Sequence, residues 1–109
     1  MRPAAILLLL TSAAACGPAK VVVTIENRGT EPLYSAAIWT GTYTRALGNV
    51  ISGQTVTDTL LAEGETSISL QHGTSPRKTL VLVGYFQAGD IDSIRAQVKT
   101  DSVLKVQRW

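Results

Sequence analysis

The amino-acid sequence predicts an all-β fold, a small antiparallel sandwich of about seven or eight strands behind an N-terminal signal segment. Three observations carry the prediction. Apolar residues recur with a period of two along nearly the whole chain. Valine and threonine dominate where a helix would favour Ala, Leu, Glu and Lys. Turn-forming residues punctuate the chain at intervals of roughly 8–12 residues, the spacing of a sandwich or small barrel.

The first element is not a strand. Residues 1–15 hold one charge, Arg2, then an unbroken apolar run from Ala5 to Leu10, then Thr11, Ser12 and three alanines. A positive start, a short apolar core and a small-residue run make a secretory signal. The run is too short to cross a bilayer, which takes roughly 20 apolar residues. Residues 16–19 form a short tether, and residues 20–109 form the domain.

Within the domain, "KVVVTIEN" sets Val21, Val23 and Ile25 on one face. "LYSAAIWTG" sets Tyr34, Ala36 and Ile38 on one face, with Ala37 and Trp39 on the other. "TVTDTLL" pairs Val56 with Leu60 against three threonines, and "TSISLQ" brings Ile68 and Leu70. "TLVLVGYF" is apolar on both faces and is expected to be a central, doubly covered strand. "SIRAQVK" and "VLKVQRW" alternate Ile94, Ala96, Val98, Leu104 and Val106, and read as a closing hairpin. Turns are expected at Asn27–Gly29, Gly41, Gly48–Asn49, Ser52–Gly53, Glu63–Gly64, Gly73–Pro76, Ala88–Asp90 and Thr100–Ser102.

The chain contains one cysteine, Cys16, at the end of "TSAAAC". This stretch resembles the lipobox of bacterial lipoproteins, in which small residues precede an obligatory cysteine. The resemblance falls on Ala14, Ala15 and Cys16; the family prefers leucine where this chain has Ala13. It implies a diacylglyceryl group on the Cys16 thiol, cleavage just before Cys16 and, in many bacteria, a further acyl chain such as palmitate. Ordinary signal cleavage would cut the same bond, because Ala13-Ala14-Ala15 also satisfies the small-x-small rule. Economy of cysteine favours acylation: one thiol in an oxidising compartment forms no internal disulfide and is a liability unless a lipid consumes it. Two or three acyl chains at about 0.8 kcal/mol per buried methylene hold a protein irreversibly. The resemblance therefore implies a cell-envelope location. Gly17, rather than aspartate, after the cysteine leans toward the outer membrane in a Gram-negative cell.

"VVVTIENRGTEPLYSAAI" and "LLAEGETSISL" resemble segments of the small immunoglobulin-like domains of bacterial envelope proteins. The resemblance implies an immunoglobulin-like sandwich and no particular function.

Composition allows a core: 45% of residues are apolar, 17% are charged and only four are proline. The net charge is +2 and no basic cluster exceeds Arg77-Lys78, which disfavours nucleic acid as a partner. Chemistry-bearing residues are sparse. His72, the one histidine, is expected in an exposed loop without a special role, and no serine sits in a nucleophile elbow. One histidine and one cysteine do not make a zinc site. Asp90 and Asp92 have too few neighbouring oxygen ligands for calcium and read as a solvated turn. Glu63 and Glu65, around Gly64, read as surface rather than as a glycosidase pair.

No catalytic residue, cofactor or metal is expected. Trp39 and Tyr43 are the candidates for a contact surface, since both residue types are enriched at interface hot spots. The sequence thus points to a non-enzymatic, membrane-anchored envelope lipoprotein that meets a protein partner as an accessory or structural module. The alternative is a carrier of a small apolar ligand, built as a barrel with an internal cavity.

Overall fold

The computed structural model describes residues 17–109. Cys16 and residues 1–15, the segment expected to be a secretory signal, lie outside the described residues. Eight strands follow in order: β1 (Ala19–Asn27), β2 (Leu33–Trp39), β3 (Thr44–Val50), β4 (Thr55–Ala62), β5 (Glu65–His72), β6 (Lys78–Gln87), β7 (Ser93–Val98) and β8 (Val103–Arg108). They form two four-stranded sheets, ordered β4-β1-β7-β8 and β3-β2-β5-β6, the two layers of a β-sandwich. Every strand pair is antiparallel except β1 with β7, which run parallel. The topology is compatible with an immunoglobulin-like domain.

The two-residue period explains the layers. In β1, Val21, Val23 and Ile25 are fully buried, while Val22 faces out. Leu60, Ile68, Leu70, Ile94 and Val98 complete the same interior from three further strands. Each such side chain stabilises the fold by about 1.5–3 kcal/mol on burial. Connections are tight. Gly64 adopts a positive φ of 62° in the turn from β4 to β5, a conformation open to glycine at little steric cost.

The structure corrects several expectations, and bulges explain most of them. The segment "TLVLVGYF" belongs to β6, an edge strand rather than a central one. Val81 and Tyr85 are 60% and 87% exposed. Its apolar density has another cause. The register runs Ser69–Val81, Ile68–Val83, Thr66–Phe86, so two extra residues enter β6. Each bulge reverses the inward phase, and Leu80, Leu82, Val83 and Phe86 all reach the core.

In β2, Ser35 has a positive φ of 48° and forms a bulge, so Leu33 is buried and Tyr34 is exposed, the reverse of a regular alternation. In β8, Val98 pairs with Val103 while Gln97 pairs with Lys105, so Leu104 turns outward and Val103 turns toward the core. Strand β3 has no counterpart in the sequence reading. Gly48-Asn49, expected as a turn, lies inside it, where Gly48 takes φ 76° beside the register shift against β2.

Candidate contact surface

Registers fix which side chains share the outer face of the second sheet. Trp39 lies opposite Thr44 on one side and Ser69 on the other, and Ser69 lies opposite Val81. The adjoining row is Ala46, Ala37, Gln71 and Thr79. No side chain in these two rows carries a charge. The outer face of the first sheet differs: Glu26 there binds both Arg28 (3.1 Å) and Arg95 (3.2 Å), and Lys20 and Lys105 stand on the same face. The Arg28 and Arg95 contacts outweigh burial and hold the Glu26 carboxyl below its usual range.

Trp39 is half-buried at the centre of the neutral face. Ser69 beside it is buried although it points away from the core. The Trp39 Nε1–H is shielded from water and meets no acceptor. A shielded donor left unpaired costs about 1–3 kcal/mol.

Tyr43 occupies a different surface. It is partly buried against the core where the edge strands β3 and β4 run side by side. Its hydroxyl donates to Glu63 Oε2 at 3.2 Å. Loss of water contact, and then the Glu63 carboxylate, push the Tyr43 phenol above its usual value. The same seam is latched by Arg45, whose guanidinium donates to both Asp58 oxygens at 3.1–3.3 Å. Thr40 Oγ1 adds a bond to the Leu61 carbonyl at 3.1 Å. The Thr59 N–H, at 2.7 Å, and the Arg45 guanidinium hold the Asp58 carboxyl below the usual carboxylate range. The groove of ≈ 560 Å³ over this seam is walled by Tyr43, Arg45, Asp58 and their neighbours. Its walls mix Arg45, Asp58 and two threonines with Tyr43 and Leu61, and it lies open at the surface, unlike the enclosed apolar interior that a carrier requires.

The opposite seam, between β6 and β8, is open: among the described residues no hydrogen bond crosses it. A shallow groove lined by Leu82, Val83, Gly84, Val106 and Arg108 runs along it.

The structure therefore separates Trp39 from Tyr43, which sequence proximity had grouped. It also moves His72. Rather than sitting in an exposed loop, His72 ends β5, is only 4% exposed, and bonds the Thr100 carbonyl through Nε2 at 2.6 Å. It thereby ties the second sheet to the β7–β8 turn. Glu65, Asp90 and Asp92 are exposed at strand ends and turns.

One residue expected only to open a turn proves to be a structural hub. Asn27, fully buried, donates through Nδ2 to the carbonyls of Glu31 and Val50, both at 2.9 Å, and accepts from the Gly29 N–H at 3.0 Å. The signal was its place after an apolar alternation and two residues before a glycine, where an Asx turn forms.

No family model matches the chain, and no curated protein matches it. Among solved structures the fold resembles the NMR structure of a protein from Eubacterium rectale, with a TM-score of 0.54 and 11% sequence identity over 78% of this chain and 86% of that one. At that identity the likeness concerns the fold alone.

Proposed function

We propose that this protein is a lipid-anchored lipoprotein of the bacterial cell envelope, without enzymatic activity, that acts through protein contacts as an accessory or structural module. The observation that carries the reading is the position of the one cysteine. Cys16 ends the small-residue run of a signal segment, and only Gly17 and Pro18 stand between it and β1. A thiol spent on lipid at that point tethers the domain within about 10 Å of the membrane surface, at roughly 3.3 Å per extended residue.

The neutral face around Trp39 supports contact with a protein partner. Its two rows carry no charge, and it holds the half-buried Trp39. Depletion of charge around an aromatic anchor is the composition of an interface core. The partner would present an uncharged surface to this face.

The test is Cys16→Ser in the full chain, expressed in a bacterium and labelled with radioactive palmitate. The expected result is an unlabelled, unprocessed precursor. A mutant still cut and released into the soluble fraction means ordinary secretion, and the anchor is then wrong.

A further inference from the structure

We propose that the anchor end of the domain seats in the headgroup region of the bilayer on the side chains of Tyr85 and Trp109. The inference rests on the lipid-anchor reading and names the surface on which the anchored domain lies.

The sequence has six aromatic residues, and five of them gather at one end of the sandwich. Strand pairing shows this. Ala19, at the start of β1, lies opposite Ala62, at the end of β4. The Ala88 N–H beyond β6 bonds the Gly64 carbonyl at 2.8 Å, which brings the end of β6, with Tyr85 and Phe86, to the same end. Thr40 at the close of β2 bonds Leu61, which brings Trp39 and Tyr43 there. Val22 N–H bonds the Asp92 carbonyl, and Asp92 N–H bonds Trp109 O, which brings Trp109 there. Tyr34 alone belongs to the far end, where its carbonyl accepts from Gly73.

Two of the five are presented rather than packed. Tyr85 is 87% exposed and Trp109 63%, the two largest exposures among the big apolar side chains. Trp109 is not a frayed end. Its N–H bonds the Ser93 carbonyl at 2.9 Å and its O accepts from Asp92 at 2.6 Å. The ring is thus held out from fixed backbone. Gly84 and Arg108, the residues before Tyr85 and Trp109, line one groove, so the backbones that carry the two rings lie on either side of the β6–β8 seam.

Chemistry selects the occupant. Tryptophan and tyrosine prefer the membrane–water interface, where an apolar ring and a polar tip are both satisfied. β1 begins at this same end, and with only Gly17 and Pro18 between Cys16 and β1 a lipid on Cys16 would hold this end at the headgroups. Charge attraction is not the cause. Glu63, Glu65, Asp90 and Asp92 outnumber Lys20 and Arg108 at this end. The seat should therefore form on zwitterionic lipid and not tighten as anionic lipid is added.

The experiment uses the full mature protein, its acylation verified by intact mass, in phosphatidylcholine vesicles containing brominated phosphatidylcholine. Trp39→Phe leaves Trp109 as the one tryptophan, which is excited selectively at the red edge of the absorption band. Trp109 emission should shift to the blue and be quenched by bromines near the top of the acyl chains. A second form carries a Gly/Ser spacer of about 20 residues between Pro18 and Ala19, which would let the domain drift free by roughly 25 Å. Quenching should persist with the spacer and fall when Tyr85→Ser is added, with an unchanged circular dichroism melt. Unquenched Trp109 in acylated protein overturns the proposal, and leaves the anchor reading standing. Quenching that vanishes with the spacer also overturns it, since proximity alone then explains the signal. Absence of the acyl mass overturns the anchor reading and this seat with it.

Discussion

Replacing Asn27 by alanine removes three hydrogen bonds at once: two from Nδ2 to Glu31 and Val50, and one from the Gly29 N–H to Oδ1. These join the end of β1, the turn into β2 and the end of β3. Each is worth about 1 kcal/mol net, giving about 3 kcal/mol, and the Val50 carbonyl, bonded in a buried site, adds about 1–2 kcal/mol if water does not reach it. A domain of this size has roughly 5–14 kcal/mol of total stability. For 60–100 residues, a loss of 1 kcal/mol lowers Tm by about 4–8 °C, so loss of the three bonds alone in Asn27→Ala should lower it by about 12–24 °C. Thermal melting of residues 17–109 followed by far-ultraviolet circular dichroism measures this directly. Asn27→Asp should be at least as damaging, because a carboxylate would then face the Glu31 and Val50 carbonyls. Arg28→Ala, one residue on and exposed, is the control. A drop below about 4 °C for Asn27→Ala, equivalent to roughly 1 kcal/mol, would mean that water replaces the side chain and that Asn27 is not a structural hub.

Val81→Asp should leave the fold intact, with Tm lowered by no more than about 8 °C, since strand propensity spans only about 1 kcal/mol; Leu82→Asp, a charge aimed into the core, should unfold the domain. Unfolding by Val81→Asp would show that β6 is covered on both faces after all. The Asp58 carboxyl, held low by Thr59 and Arg45, contributes stability that is present above the ordinary carboxylate pKa and is lost as pH falls through its lower folded value. Asp58→Asn should therefore flatten the loss of Tm on acidification below about pH 4; an acid slope equal to that of the wild type would show that the Arg45 latch contributes no linkage.

The layer architecture was legible because one face of most strands is buried, and burial of one face writes a period of two into the sequence. Val21, Val23, Ile25, Ile68, Leu70, Ile94 and Val98 all follow it. What the pattern could not carry was phase. A bulge adds one residue and turns every later side chain over, so Tyr34 and Leu104 faced out where regular alternation put them in. In β6 two bulges imitated the continuous apolar run of a doubly covered strand. Strand β3 was illegible for a different reason: only Val50 in it is buried, so nothing selected an alternation. Of the two contact candidates, Trp39 does stand on an uncharged face, while Tyr43 is engaged with Glu63 across the latched seam. Four residues apart in sequence, they sit on β2 and just ahead of β3, and the turn between them changes the direction of the chain. The aromatic end is invisible in sequence because Tyr85 and Trp109 come to the same end of the sandwich only through the pairing of β6, β7 and β8 with their neighbours.

The central claim is that lipid on Cys16 holds this sandwich against a membrane. Intact mass spectrometry of the protein extracted from cells in detergent tests it most directly. The account predicts a chain that begins at Cys16 and carries the added mass of a diacylglyceryl group, with or without a further acyl chain on the new amino group. A chain beginning at Cys16 with an unmodified thiol, recovered without detergent, would contradict it.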